Sequence, residues 1–282
     1  DGARIRRSGP DPVRTMRRPV PSTDPRPVDL RAAGAAVVAR AVSHELRRLE
    51  EAEGVRVLLA VESGSRAWGF ESPDSDFDVR PLEHYLRLEG ARDVLEWRLD
   101  EVLDISGWDL DKSLRLARGA NPSFFEWLAS PIVYAEDPAF TAVRDLAADC
   151  FSPVASARHY LSMARGQVAA CTAGTIRLKK YLYIMRALLA ARWVVAERAP
   201  APMLFGDLVG AELEDSMSGL VEELLAAKTA SGESDERPRV PAFDAWVAGA
   251  LAELEDAVGA LAPGPKVPWG RLNEVFLAIV RG

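Results

Sequence analysis

Cysteine and histidine are scarce in this chain of 282 residues: the cysteines are Cys150 and Cys171, and the histidines are His44, His84 and His159. Two cysteines are too few for a disulfide framework, and no close Cys/His spacing offers a zinc site. His84 and His159 stand alone and receive no ligand role. Long apolar runs are missing as well. No stretch approaches the roughly 18 uninterrupted apolar residues of a membrane span, and the first residues lack the apolar core of a signal peptide. These absences predict a cytoplasmic protein without a membrane partner. Net positive charge is also absent. The formal charge of -7 argues against broad, sequence-blind duplex binding, while leaving room for a local basic patch that holds a phosphate chain. No internal repeat is found. What is present, 48% hydrophobic and 27% charged residues, fits an ordinary globular protein, and at roughly 150 residues per domain the length suggests two domains.

The first 28 residues carry Arg4, Arg6, Arg7, Arg14, Arg17, Arg18 and Arg26 against Asp1, Asp11 and Asp24, with no apolar periodicity. They read as a basic, irregular arm. From Asp29 to Glu53, the spacing of Leu30, Ala33, Val37, Val38, Ala41, Val42, Leu46 and Leu49 predicts an amphipathic helix that Gly54 stops. Val55 to Val61 reads as a buried strand ending at Ser63-Gly64-Ser65, and Phe77 to Arg80 as a second. Apolar stretches at 94–99 and 102–105 complete a mixed α/β pattern to about Tyr134. Beyond Pro138 the pattern turns helical, at 139–149, 153–171, 174–198, 212–230 and 241–260, which predicts a five-helix bundle with a loop at Gly232 to Pro241. The expected fold class is α+β. The arm would occupy 1–28, a small mixed-sheet domain 29–137 and an all-helical domain 138–282.

One stretch concentrates chemistry, from Val61 to Arg80. A strand that ends in Gly-Ser and opens a helical turn leaves backbone N–H groups free, and Gly64 lets phosphate oxygens come close to them. Gly64 and Ser65 thus read as a phosphate cradle. Farther on, Asp76 and Asp78 lie two apart on a strand, so their side chains leave the same face about 6.6 Å apart. Two carboxylates so placed suit hard divalent ions, Mg²⁺ first and Mn²⁺ in its place, completed by substrate phosphates and water.

The pairing of a Gly-Ser turn with a downstream Asp-x-Asp resembles the DNA polymerase β-like nucleotidyltransferase superfamily. The longer blocks Gly64-Ser-Arg-Ala-Trp-Gly-Phe-Glu-Ser-Pro-Asp-Ser-Asp-Phe-Asp-Val-Arg80, Asp104-Ile-Ser-Gly-Trp-Asp-Leu110, Asn121-Pro122, Glu126-Trp-Leu-Ala-Ser-Pro-Ile-Val-Tyr134 and Leu178-Lys-Lys-Tyr-Leu-Tyr183 are similar to predicted bacterial and phage nucleotidyltransferases called RlaP-type, or RNA repair pathway, proteins. The resemblance runs from about Val61 to Trp193. It implies that Ser65 and nearby backbone hold the triphosphate while the aspartates carry the metals. One departure stands out: relatives continue the strand after Asp-Val-Arg with apolar residues, whereas Arg80 here runs into Pro81-Leu-Glu-His-Tyr85, which leaves open how far the strand carrying Asp78 runs past Arg80 but not the metal pair.

Two-metal phosphoryl transfer calls for a third carboxylate. Asp104, on a strand whose Leu103 and Ile105 face the other way, is the choice; Asp109 is better explained as the N-cap of the following helix. Arg66 and Lys112 join as substrate-binding candidates, Lys112 because a cation in the first turn of a helix is disfavoured by the dipole unless an anion is near. The helix at 174–198 holds Arg177, Lys179, Lys180, Arg186, Arg192 and Arg198 against Glu197 alone. Lys179, Tyr183 and Arg186 share one face and, with Lys180, are read as holding a triphosphate or an RNA strand; the alternative is a solvated face. Trp68, Phe70, Trp108 and Trp127 read as core. The resulting expectation is Mg²⁺-dependent transfer of a nucleoside monophosphate from a nucleoside triphosphate to a hydroxyl, with an RNA end as the leading acceptor. A protein side chain as acceptor and a non-catalytic nucleotide-binding protein are the alternatives.

Overall fold

The computed structural model describes residues 29–98, 101–171, 174–230, 236–264 and 266–282, so the arm read from residues 1–28 lies outside the described residues. Helix α1 (Ala35–Glu53) ends where Gly54 turns left-handed at φ +65°. Gly accepts that conformation without the steric cost of a β-carbon. Five strands follow in one mixed sheet: β1 (Val55–Ser63), β2 (Phe77–Tyr85), β3 (Val94–Arg98), β4 (Leu103–Asp109) and β5 (Val133–Glu136), in the order β3-β4-β2-β1-β5. The β2–β4 pair is parallel and the other pairs are antiparallel.

Strand alternation sends Phe77, Val79, Leu103 and Ile105 to one face, where Val38, Val42, Leu46 and Leu49 of α1 cover them. On the opposite face Leu82, Leu59 and Val61 pack against α3 (Leu110–Arg118), α4 (Pro122–Leu128), α5 (Thr141–Cys150) and the C-terminal α11 (Trp269–Arg281). Asp78, Arg80 and Asp104 leave from this second face.

Strand β2 does not stop at Arg80. It runs on through Pro81 to Tyr85, and its ladder to β4 resumes in the same register at Leu82–Trp108. Proline lacks the N–H that a central strand uses, and the pairing with β4 lapses at Arg80 and Pro81 before it resumes. At Gly107 a β-carbon would lie 2.6 Å from both Pro81 Cγ and the Pro81 carbonyl, so the absence of a side chain there lets the proline into the sheet.

The remaining helices are α6 (Pro153–Ala169), α7 (Leu178–Glu197), α8 (Phe205–Glu212), α9 (Asp215–Ala230) and α10 (Pro241–Gly259). Helix α7 is the axis, with 12 of its 20 residues buried against the others. The five helices of this bundle differ from those expected: α5 packs on the sheet side, α8 takes its place, and α11 was not anticipated. Within the segments read as helix 174–198 and as a loop, Thr175–Arg177 (β6) and Glu236–Pro238 (β7) pair as a two-stranded ribbon. Among the described residues no helix is long and apolar enough to cross a membrane.

Candidate active site

The chemistry-bearing turn is built where β1 leaves the core. Ser63 is extended, Gly64 is left-handed at φ +64°, and Gly64–Trp68 form the single-turn helix α2. Behind the turn lies Glu62, fully buried, whose Oε1 accepts the backbone N–H of Asp78 at 2.7 Å and whose Oε2 accepts the Tyr134 hydroxyl at 2.5 Å. Burial pushes the Glu62 carboxyl up to about 7, against the opposing pull of these hydrogen bonds. Its backbone carbonyl is held by Ser130 Oγ at 2.7 Å. Sequence reasoning passed over Glu62; a carboxylate at the end of a buried apolar run was the signal.

Asp78 and Asp104 are direct partners across the parallel β2–β4 pair. Between them lies Arg80, whose Nη2 is 2.5 Å from Asp78 Oδ1 and 3.1 Å from Asp104 Oδ2. Arg80 is thus a cation bracketed by two carboxylates, and the sequence reading gave it no role. Gly64 closes the third side, because a β-carbon there would collide with Asp78 Oδ2 and lie 3.1 Å from Cγ. Asp76 precedes the strand instead of sharing it with Asp78, so the same-face spacing expected from strand alternation does not hold for this pair. Arg66 ties the segment down, its Nε donating to the Asp76 carbonyl at 2.9 Å and Nη2 to the Ser75 carbonyl at 2.7 Å, with the guanidinium over the Phe77 ring. Arg66, read as a substrate ligand, is here a staple between the Gly-Ser turn and the aspartate segment.

Asp109 is an odd number of residues from Asp104, so by strand alternation it leaves the opposite face, and its carboxylate accepts the Asp111 N–H as an N-cap. Ser65 is 5% exposed and its hydroxyl donates inward to Ser75 Oγ at 3.2 Å, so the side chain supports the turn from within. Lys112 is not brought to the aspartates. Its Nζ sits 5.5 Å from the ring of Trp108, which stacks on Trp127 and lies four residues along β4 from Asp104, about 13 Å by strand rise.

The face of α7 requires correction. Arg186 is 3% exposed, donating at 2.9 Å to Glu126, which also accepts the Tyr160 hydroxyl, and its guanidinium lies over the Trp68 ring. Tyr183 packs against Trp68 and Phe70. Lys180 donates to Gln167, and Arg192 pairs with Glu214 and Glu253. Lys179, in the first turn of α7, is half-buried. An axial helix recruits acids from its neighbours, so the basic excess counted along its own sequence does not form an open cationic surface. Tyr183 and Arg186 do reach α2, as packing partners of the turn.

Two carboxylates converging on one cation fit a divalent ion in donor type. Among the described residues no group of three His, Cys, Asp or Glu closes a metal site by itself, so further oxygens would come from substrate and water.

The model of the RNA repair pathway DNA polymerase beta family, RlaP, matches residues 38–278. An uncharacterized protein of Bacillus subtilis (strain 168), YcgL, is 39% identical over 246 residues, covering 84% of this chain and 94% of its own length. A nucleotidyltransferase-like protein from Exiguobacterium sibiricum 255-15, of known structure, aligns over 86% of this chain and 80% of its own with 11% identity and a TM-score of 0.31.

Proposed function

Because the chain belongs to the RNA repair pathway DNA polymerase beta family, we propose that Asp76, Asp78 and Asp104 serve nucleotidyl transfer from a nucleoside triphosphate to a hydroxyl. The observation that carries this reading is the cross-strand register of Asp78 and Asp104, with the carboxylate of Asp78 pressed against Gly64. In the reaction the acceptor oxygen forms a bond to the α-phosphorus, the bond from that phosphorus to the bridging oxygen breaks, and pyrophosphate leaves.

Each residue has a part. The backbone of the Gly64–Arg66 turn binds the triphosphate, since no β-carbon at position 64 screens it. Asp76 and Asp78 would hold Mg²⁺ or Mn²⁺, shared with Asp104 and completed by phosphate oxygens. When bound, the ion supplies charge neutralisation on the phosphates and a more acidic acceptor hydroxyl. Asp104 accepts the proton of that hydroxyl. Arg80 holds Asp78 and Asp104 together while their charges are otherwise uncompensated. Glu62 fixes the backbone of Asp78 so that its carboxylate faces the turn.

An RNA end is the acceptor we favour. The family's description supports it; the cations of α7, largely committed to partners inside the protein, add little. The test is incubation of the purified protein with each α-labelled nucleoside triphosphate, Mg²⁺ or Mn²⁺, and RNA or a lysate proteome. Labelled RNA is expected, and it should vanish with Asp78→Asn. Labelled protein in place of RNA would move the acceptor to a side chain, and no label with any triphosphate would overturn the reading.

A further inference from the structure

Helix α9 sends a lysine from the other half of the molecule to the loop that flanks the site. Lys228 is 1% exposed, and its Nζ donates to Ser72 Oγ at 2.7 Å. Ser72 lies in the loop that joins the two parts of the signature. Its hydroxyl is 3.0 Å from Ser75 Oγ, its backbone N–H donates to that same oxygen at 3.0 Å, and Ser65 Oγ donates there at 3.2 Å. All three serines are buried. Ser65 follows Gly64 and Ser75 precedes Asp76, so one polar chain runs from the helical half to both edges of the candidate active site.

Lysine is almost never fully buried without a partner, because removing its ammonium from water is expensive. Filling this slot for packing alone would be done at lower cost by methionine or leucine. An ammonium can only donate, so it requires an acceptor in a fixed place, and the loop hydroxyl provides one. Arg66 grips the carbonyls of Ser75 and Asp76 from the other side. The loop is therefore held at both ends, locally by α2 and remotely by α9.

We propose that Lys228 is a positioning residue for nucleotidyl transfer, setting through Ser72 and Ser75 the placement of the Gly64–Arg66 turn relative to Asp76. The inference rests on the reading of the site given above. Through this residue the helical half takes part in the chemistry without touching the reacting atoms.

The experiment compares Lys228→Met, Ser72→Ala and the double variant in the full chain. Three readouts are thermal unfolding, steady-state nucleotide labelling and amide hydrogen exchange of residues 63–78. Since misplacement by about 1 Å can cost a hundredfold, Lys228→Met is expected to lower kcat by about tenfold to a hundredfold, with KM for the triphosphate changed less than about threefold. Exchange over 63–78 should quicken while that of α1 and β3 stays put. The double variant should be no worse than either single one, because both act on one connection. Ser72→Ala keeps the lysine and removes only the loop hydroxyl, so it keeps the comparison alive if Lys228→Met alone fails to fold. Wild-type kcat together with unchanged exchange in Lys228→Met would overturn the proposal, as would effects of the two substitutions that multiply. A wild-type protein that labels nothing would remove the nucleotidyl-transfer reading, and the exchange data would still report whether α9 anchors the loop.

Discussion

Gly64 and Asp78 occupy one space: the side chain that position 64 lacks is the space taken by the carboxylate of Asp78. The conformation of the turn and the aim of the aspartate therefore depend on each other. Gly64→Ala should cost roughly 1 to 3 kcal/mol in stability, from a left-handed φ and a displaced carboxylate. It should also lower kcat and not merely weaken triphosphate binding. Thermal unfolding and labelling kinetics check this, and a variant with intact kcat and a raised KM alone would separate the turn from Asp78.

Neutralising the aspartates should remove activity and spare the fold. Asp78→Asn and Asp104→Asn are each expected to reduce transfer at least about a hundredfold, and the double variant to fall little further, as groups acting as one unit do. Circular dichroism should be unchanged. Undiminished labelling by either single variant would exclude that residue from the site.

The Arg186–Glu126 pair makes a stability prediction where the sequence alone suggested a binding one. Removing one member of a buried pair leaves the other charge uncompensated, so Arg186→Met should destabilise by about 3 to 5 kcal/mol. Arg186→Met/Glu126→Gln should recover much of that loss. Denaturant unfolding gives both values. Added salt should matter little, because the pair is shielded from solvent ions.

Glu83 governs a pH dependence. It is fully buried on the α1 side of β2, and neither carboxylate oxygen has a hydrogen-bond partner among the described residues beyond the weak pull of its own backbone amide. Burial first, and the nearby Asp109 second, hold its pKa well above 4.5. The folded protein keeps a proton that the unfolded chain releases above that value, so this group makes stability fall as pH rises from 4.5 toward the folded pKa. Glu83→Gln carries no such proton and should flatten the decline. Urea unfolding at about pH 5 and about pH 8 would show it, and equal slopes for the two proteins would refute the assignment.

What could be read from the sequence was what local periodicity encodes. The apolar spacing of α1, the buried run of β1 and the Gly-Ser turn each depend on near neighbours, and so does the alternation that turns Asp104 away from Leu103 and Ile105 on β4. What escaped depends on distant partners. Pro81 looked like a strand end because the glycine that admits it lies on β4. Arg186 looked exposed because its acid, Glu126, sits on another helix. Lys228 lies on a helix with nothing to distinguish it until the fold brings Ser72 to its tip. Arg80 was quoted within the signature, yet its position between two carboxylates exists only once β4 has paired with β2.

The parallel pairing of β2 with β4 also sets when the site can exist during synthesis. A chain emerging from the ribosome N-terminus first presents Asp78 before Asp104, and parallel strands cannot pair until the β3 excursion has been completed. Lys228 arrives much later, after most of the helical half has been made. A ribosome-bound fragment ending before α9 would hold the aspartates and the local grip of Arg66 on the loop but not the contact from Lys228 to Ser72, so the loop's second support is added only after α9 has been made.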